Sequence, residues 1–272
     1  MRVDVGGTQV WYEIEGKHDP SIVLLHGGPG GFDHSYFKPD FSQLTPVARV
    51  IYLDMPDHGR SDWGPPEDWT FEHAADLIHE LCETLEIERP IVLGHSFGGL
   101  VAIEYAARHP DHPAGLVLQS TFARFDLDRV VEGFRAIGGD EIADVVRRSY
   151  QNDPTVTGDE WERCWELFGP WVPSVEDKAK TPRNQGLNEV GGRLMLEVDL
   201  RSRLAEVRCP TLVSVGDLDP ITPVWAAREI VDGLAGVSAR LDVIEGAGHF
   251  PWRDQADAYW MSLERFVEAL GG

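Results

Sequence analysis

The stretch VLGHSFGG, residues 92–99, contains the pattern G-x-S-x-G at positions 94–98, directly after an apolar run and directly before a stretch with helical periodicity. In that context the pattern predicts a sharp strand-to-helix turn that projects a serine hydroxyl. The positions two before and two after the serine must be small because the strand and the helix pack closely there. Ser96 is therefore the candidate nucleophile; the alternative is a glycine-rich turn that happens to contain a serine.

Short apolar runs recur on both sides of this turn, as expected for strands buried on both faces. They are SIVLLHG (21–27), RVIYLD (49–54), PIVLGHS (90–96), GLVLQS (115–120), PTLVSVG (210–216) and RLDVIE (240–245). TQVWYEIE (8–15) alternates like a strand with one exposed face. Helical patterns lie between the runs, including one capped by Thr70 and one that begins at Thr222-Pro223. The alternation predicts an α/β fold with a mostly parallel sheet covered on both sides.

The alternation breaks once, where helical patterns appear at 139–150 and 157–171 without a strand. Thr157 and Glu160 have the spacing of a capping box. The stretch 169–186, with its prolines and glycines, is predicted to be a loop or hinge. The expected division is a core of residues 1–121 and 204–272 and a helical cap, or lid, of residues 122–203.

A serine hydroxyl needs a base, and the base needs an orienting acid. His249 follows the last predicted strand and precedes the C-terminal helix, so it lies at the loop edge where Ser96 would point. Asp217 and Asp219 follow the preceding strand, and the order serine, acid, histidine is the one that this strand–turn–helix arrangement uses. We favour Asp219 as the acid, with Asp217 as the alternative that caps the turn.

The loop HGGPGG, residues 26–31, follows another apolar run and contributes almost nothing to a core. Glycines lose the most conformational entropy on folding, so a loop with this many is costly. Their presence indicates that a ligand or another part of the chain approaches the backbone closely. If Ser96 attacks a carbonyl, the oxyanion needs two backbone donors, and the N–H groups of Gly28 and Phe97 are the candidates. A phosphate-binding loop is disfavoured because neither G-x-G-x-x-G nor Gly-Lys-Ser/Thr is present.

Composition excludes several classes of function. The formal net charge is -22, which argues against nucleic acid or an anionic membrane as a partner. Three widely spaced cysteines predict buried free thiols, and the charged N-terminus and the lack of a long apolar run predict a cytoplasmic protein. We identify no two histidines or carboxylates at ligand spacing on a helix, so the sequence predicts neither a metal nor another cofactor.

These motifs together resemble the α/β-hydrolase fold. The resemblance rests on the HGGPG loop, DHGRSD (57–62), GHSFGG, GDLDPITP (216–223) and GAGH (246–249), and it covers nearly the whole chain apart from the cap. It implies a serine hydrolase with Ser96 as nucleophile, Asp219 as acid and His249 as base. Relatives with an aspartate nucleophile are disfavoured because position 96 is serine.

Within that fold, HGGPG is similar to the loop of proline iminopeptidases. This resemblance implies an aminopeptidase that acts on a short peptide or other small molecule, with cap carboxylates receiving the free amine. The sequence departs from the group because it has DMPDHG (54–59) where many members have DQRG, and Phe97 where many have tryptophan. The acids available near the end of the cap are Glu189, Glu197 and Asp199.

Two other classes of function stay open. An esterase, lactonase or carbon–carbon bond hydrolase would use the same triad, with an apolar acyl pocket formed by cap aromatic residues such as Trp161 and Trp165, which could equally be helix-packing core. A carbon–carbon hydrolase would need a cap arginine, for which Arg193 is the candidate. A non-catalytic ligand-binding protein on the same scaffold is disfavoured by the intact triad.

Overall fold

The central sheet is antiparallel at one edge and parallel elsewhere. The computed structural model describes residues 1–271, without the side chains at positions 175, 177, 178 and 271, and this part of the chain forms eight strands and nine α-helices. The strands are β1 (Arg2–Val5), β2 (Thr8–Glu15), β3 (Ser21–Leu25), β4 (Arg49–Leu53), β5 (Ile91–His95), β6 (Gly115–Gln119), β7 (Thr211–Gly216) and β8 (Ala239–Ile244). They lie in the order β1-β2-β4-β3-β5-β6-β7-β8, with the pairs from β4 to β8 all parallel. The predicted α/β fold is confirmed, and β1 is an addition that the sequence analysis missed.

The helices follow the predicted pattern outside the insertion. They are α1 (Phe71–Thr84), α2 (Phe97–Arg108), α3 (Leu127–Tyr150), α4 (Gly158–Trp165), α5 (Val175–Lys180), α6 (Gln185–Glu197), α7 (Val224–Gly233), α8 (Pro251–Asp254) and α9 (Ala256–Gly271). The Thr70 hydroxyl caps α1 by accepting the His73 N–H, as predicted. Helix α7 begins two residues after Thr222, whose side chain makes other contacts described below.

The continuous apolar runs are explained by two cores, one on each face of the sheet. In β3, Val23 and Leu25 belong to one core, whereas Ile22 and Leu24 belong to the other, and all four are fully buried. Successive side chains of a strand point to opposite faces, so a strand covered on both sides must be apolar at every position. The three cysteines are buried free thiols, as predicted.

Helices α3–α6 lie between β6 and β7 in the chain and form the predicted insertion. The capping box of Thr157 and Glu160 is confirmed at the start of α4. Helix α3 begins twelve residues earlier than the predicted stretch and leaves helical geometry at Gly139 (φ 80°). Helix α5 lies inside the stretch predicted to be a loop, and α6 begins near its end. The three glycines of α6 lower its intrinsic helix propensity, so this helix depends on packing that the sequence does not reveal.

Candidate active site

The candidate residues follow four parallel strands at the edge where these strands end. Ser96 comes directly after β5, the glycine-rich loop follows β3, Asp219 follows β7 and His249 follows β8. Parallel strands end at one common edge, which is where open α/β sheets form their binding crevices. Residues distant in sequence thus meet in one place.

Ser96 lies in the sharp turn predicted for it. Its backbone has φ 54° and ψ −120°, a conformation that residues other than glycine rarely adopt. The turn is fixed because the Ser96 N–H donates to the Gln119 carbonyl (3.0 Å) and the Thr121 hydroxyl donates to the Ser96 carbonyl (2.7 Å). A Cβ at Gly98 would come within 2.3 Å of the Leu25 carbonyl oxygen, so no larger residue fits where the helix crosses β3. The surrounding structure therefore holds the serine in its strained position.

Asp219 and His249 form a buried pair. The His249 Nδ1 lies 2.8 Å from Asp219 Oδ2, and both side chains are almost completely buried. Burial alone would raise the pKa of Asp219, but the neighbouring His249 and the hydrogen bonds from Thr222 outweigh it and lower that pKa. The carboxylate is therefore ionised and can only accept hydrogen bonds. Nδ1 of His249 therefore donates a proton to the carboxylate, and in a neutral imidazole this tautomer leaves the lone pair at Nε2.

Thr222 supports the acid and was not among the predicted site residues. The Ile221 and Thr222 N–H groups donate to Asp219 Oδ1 at 2.9 and 3.0 Å, and the Thr222 hydroxyl donates to Oδ2. Asp217 instead accepts the Gly246 N–H (2.7 Å) and holds the turn after β8. The spacing D-P-I-T, an aspartate followed by a threonine three residues later, is the signal that identifies this turn in the sequence.

The two predicted oxyanion donors have free N–H groups. Within residues 1–271, neither Gly28 N–H nor Phe97 N–H donates a hydrogen bond to another protein atom. The Gly27 N–H, by contrast, donates to the Tyr36 hydroxyl. Of the two neighbouring amides, Gly28 is thus the one available to bind an anionic oxygen.

A hydrogen-bonded chain joins the glycine-rich loop, the serine turn and the base. The Tyr36 hydroxyl accepts the Gly27 N–H and donates to His95 Nδ1 (2.9 Å), while His95 Nε2–H donates to the His249 carbonyl (2.9 Å). Burial and the nearby His249 lower the pKa of His95 far below its usual value, so it stays neutral. A neutral imidazole has one donor and one acceptor, and both are used in the two hydrogen bonds of His95.

We expect Tyr36→Phe to lower the free energy of unfolding by about 1–3 kcal/mol, because it leaves the Gly27 N–H and His95 Nδ1 unpaired in a buried place. Urea unfolding followed by tryptophan fluorescence measures the change. Tyr12→Phe is the control, since Tyr12 is partly buried like Tyr36 but its hydroxyl makes no hydrogen bond within residues 1–271. Equal effects in the two variants would contradict a role for the Tyr36 hydroxyl.

The insertion contacts the glycine-rich loop directly. The Asn184 N–H donates to the Gly30 carbonyl (2.9 Å), and the Asn188 side chain donates to the Pro29 carbonyl (3.0 Å). A Cβ at Gly30, whose φ is 66°, would lie 2.5 Å from the Asn184 carbonyl oxygen. Part of the unusual composition of the loop thus comes from the close approach of α6.

Gly30→Ala is therefore expected to lower the free energy of unfolding by about 1–3 kcal/mol, both through the positive φ and through the clash with α6. Gly31→Ala is the matched control, because a Cβ there meets its nearest atom, Asn188 Nδ2, only at 3.4 Å. Thermal unfolding of both variants checks the expectation. Equal stability of the two variants would show that a Cβ at position 30 does not clash with the start of α6.

A cavity of about 290 Å³ opens over Ser96 and His249. Its wall combines the loop after β3 with apolar side chains of the insertion and the segments beside it, among them Phe122, Tyr150, Trp161, Trp165, Phe168 and Met195. The structure thus brings the predicted Trp161 and Trp165 to the cavity. Ser149, Asn152 and Asn188 also line it and were not identified from the sequence.

Glu189 and Arg193 do not line this cavity. Glu189 is exposed and accepts a hydrogen bond from Gln185 (3.2 Å), whereas Arg193 is exposed with its Nε 4.0 Å from Glu197. Asp199, the third acid considered, pairs with Arg201 on the surface. A substrate-binding role for Glu189 or Arg193 stays a prediction, without support from their positions.

The family model described as alpha/beta hydrolase fold matches residues 20–252, which is most of the chain. The chain therefore belongs to the α/β-hydrolase fold family and is a hydrolase of that fold.

Individual relatives differ in their reactions. The chain is 28% identical to the pimeloyl-[acyl-carrier protein] methyl ester esterase of Photobacterium profundum, with 96% of this chain and 99% of that one covered. It is 25% identical to the proline iminopeptidase of Saccharolobus solfataricus, with 95% and 88% covered. The crystal structure of the Mycobacterium smegmatis proline iminopeptidase superimposes with a TM-score of 0.79 at 23% identity over 99% of this chain and 98% of that one, which is similarity of fold alone. Over residues 1–271, no helix is long and apolar enough to cross a bilayer.

Proposed function

We propose that this chain is a serine hydrolase that cleaves small uncharged carboxylic esters through an acyl-enzyme on Ser96. The proposal assigns Ser96, His249 and Asp219 as nucleophile, base and acid, and the N–H groups of Gly28 and Phe97 as the oxyanion hole. Residues 122–203 act as a cap that encloses the substrate.

One observation favours an ester over a peptide with a free amine. Among the described residues that line the cavity, none is Asp, Glu, Lys or Arg. An ammonium group placed there would lose its hydration without gaining a countercharge, which is unfavourable. An uncharged acyl group, by contrast, binds favourably there, because its apolar surface is buried against aromatic side chains such as Trp161 and Trp165. The cavity therefore suits a small ester whose acyl and alcohol parts are both uncharged.

The chemistry rests on the hydrogen bond between Asp219 and His249 and on the place of Ser96 and His249 in the same cavity. His249 Nε2 takes the proton of the Ser96 hydroxyl as its oxygen attacks the carbonyl carbon, and the resulting imidazolium is stabilised by Asp219. His249 then returns the proton to the departing alcohol oxygen, which leaves an acyl group on Ser96. A water molecule, deprotonated by His249, attacks the acyl carbon. The bond from that carbon to the Ser96 oxygen breaks, His249 returns the proton to this oxygen, and the carboxylic acid leaves.

The oxyanion formed in each step is bound by backbone donors that are already oriented. Gly28 N–H comes from the loop after β3, and Phe97 N–H lies at the start of α2, where the helix dipole adds positive potential. Donors held in place before the reaction need no rearrangement as the charge develops.

An aminopeptidase of the proline iminopeptidase type is the second candidate. The HGGPG loop and the similarity to a curated proline iminopeptidase favour it. It would require a carboxylate from the insertion to turn toward the cavity when substrate binds.

Initial rates on p-nitrophenyl butyrate and on proline p-nitroanilide distinguish the candidates. We expect the ester to be hydrolysed with a burst of one p-nitrophenol per chain, and the anilide to react at least about 100-fold more slowly, because its ammonium group would lose hydration without gaining a countercharge. Ser96→Ala protein is the blank.

Faster turnover of the anilide, abolished by N-acetylation of the proline, would instead establish the aminopeptidase. A stoichiometric burst without turnover would favour a ligand-binding protein on a hydrolase scaffold. If neither substrate reacts, lactones are tested next, and their failure would overturn the ester proposal. Turnover of dienones would instead indicate a carbon–carbon bond hydrolase.

A further inference from the structure

A histidine-rich cluster lies outside the cavity, where α1 meets the segment that follows α2. His79 and Glu83 belong to α1, and His112 belongs to that segment. One ligand atom from each of the three side chains lies within 4.8 Å of the others. None of the three lines the cavity over Ser96. We propose that His79, Glu83 and His112 bind one Zn²⁺-like transition-metal ion.

The spacing within α1 lets two side chains bind the same metal ion. His79 and Glu83 are four residues apart, so their side chains project from the same face of the helix. The sequence analysis overlooked this pair. Its third partner, His112, is remote in sequence and becomes a neighbour only because α1 packs against α2.

The distance between the ligand atoms of Glu83 and His112 is close to that of a metal centre. Glu83 Oε1 lies 3.7 Å from His112 Nε2. Two ligand atoms bound to one Zn²⁺ at about 2.1 Å and at the tetrahedral angle are about 3.4 Å apart. Glu83 is exposed at the helix surface, so its side chain can rotate by the small amount required. Three protein ligands leave the fourth tetrahedral position to water.

The ring of His79 is available to bind an ion. In the described part of the chain, the His79 ring nitrogens have no hydrogen-bond partner, and its ring stacks on His109 at 3.9 Å.

His112 has a second hydrogen-bonding partner that would orient it. Its Nδ1 is hydrogen-bonded to the Tyr105 hydroxyl, and its Nε2 lies 3.2 Å from the Ile87 carbonyl. Metal binding at Nε2 would replace the bond to Ile87, and the ring proton would move to Nδ1 and be donated to Tyr105. Metal-bound histidines commonly donate their other ring N–H to such a partner.

The ligand types select the metal. Two imidazoles and one carboxylate suit Zn²⁺, Ni²⁺ or Cu²⁺, whereas Mg²⁺ and Ca²⁺ prefer oxygen ligands throughout. The ion would link α1 to the segment after α2 and stabilise the folded chain in proportion to its occupancy.

Isothermal titration of the full-length chain, free of any affinity tag, with ZnCl₂ at pH 7.5 tests the proposal. We expect one ion per chain, with affinity lowered at least tenfold by His79→Ala and by Glu83→Gln. His18→Ala and Glu80→Gln are the matched controls, since His18 is an exposed histidine outside the cluster and Glu80 is exposed one position after His79 on α1. Both controls should bind Zn²⁺ like the unchanged chain.

Thermal unfolding gives an independent readout. Zn²⁺ should raise the Tm of the unchanged chain and of the controls but not that of His79→Ala, because the ion stabilises only a fold that presents all three ligands. The absence of saturable binding, or equal binding by His79→Ala and the unchanged chain, would overturn the proposal. So would the loss of binding in His249→Ala, because the ion would then lie at the candidate active site.

Discussion

Ser96→Ala is expected to lower kcat on the ester by about 10⁴–10⁶-fold, because it removes the proposed nucleophile, while the neighbouring Thr222 hydroxyl is already donated to Asp219. The fold should survive, since alanine keeps the Cβ and the turn is fixed by backbone hydrogen bonds of Ser96 rather than by its hydroxyl. Steady-state kinetics gives the change in rate, and circular dichroism with thermal unfolding checks the fold.

Ser35→Ala provides a matched serine control, because Ser35 lies in the short 3-10 helix His34–Phe37 after the glycine-rich loop and does not line the cavity. Its rate should equal that of the unchanged chain. If folded Ser96→Ala kept more than a tenth of the unchanged rate, the assignment of the nucleophile would be wrong.

Asp219→Asn should have the second largest effect, a loss of about 10⁴-fold in kcat with little change in KM. An amide at this position can donate a hydrogen bond to His249 Nδ1, which moves the ring proton to Nε2. The base then presents a proton instead of a lone pair to Ser96. Kinetics on the ester across pH 6–9 measures the loss.

Asp217→Asn is the matched control, two residues away in the same loop. Asp217 accepts the Gly246 N–H and has no contact with His249 among the described hydrogen bonds, so its replacement should lower kcat less than tenfold. A larger loss in Asp217→Asn than in Asp219→Asn would reverse the assignment that the sequence analysis made between these two acids.

Local signals were sufficient for the fold and for the three residues of the proposed triad. Each strand buried on both faces is an uninterrupted apolar run, and Ser96, Asp219 and His249 come at or shortly after the ends of three of these strands. Since parallel strands end at one edge, the order of the strands was not needed to bring those residues together. The fold could thus be predicted almost completely outside the insertion.

The insertion could not be predicted to the same degree, and the reason is physical. Helix α6 contains three glycines and is stabilised by contacts with Pro29 and Gly30, which lie about 160 residues earlier in the chain. Which side chains of the insertion face the cavity depends on that docking. Glu189 and Arg193 were therefore reasonable candidates by position in the sequence, while Ser149, Asn152 and Asn188 carried no signal.

The two ends of the insertion meet at its base. Arg124 and Asp199 form an isolated antiparallel bridge, and the Leu200 N–H donates to the Ala123 carbonyl at 2.8 Å. A segment whose ends are already joined can change in length or sequence without pulling on β6 and β7, since its closure entropy varies only slowly with length. We therefore expect the residues between Arg124 and Asp199 to be exchangeable as one module without disturbing β6 and β7, provided that the replacement restores the contacts with the loop after β3 and with His249.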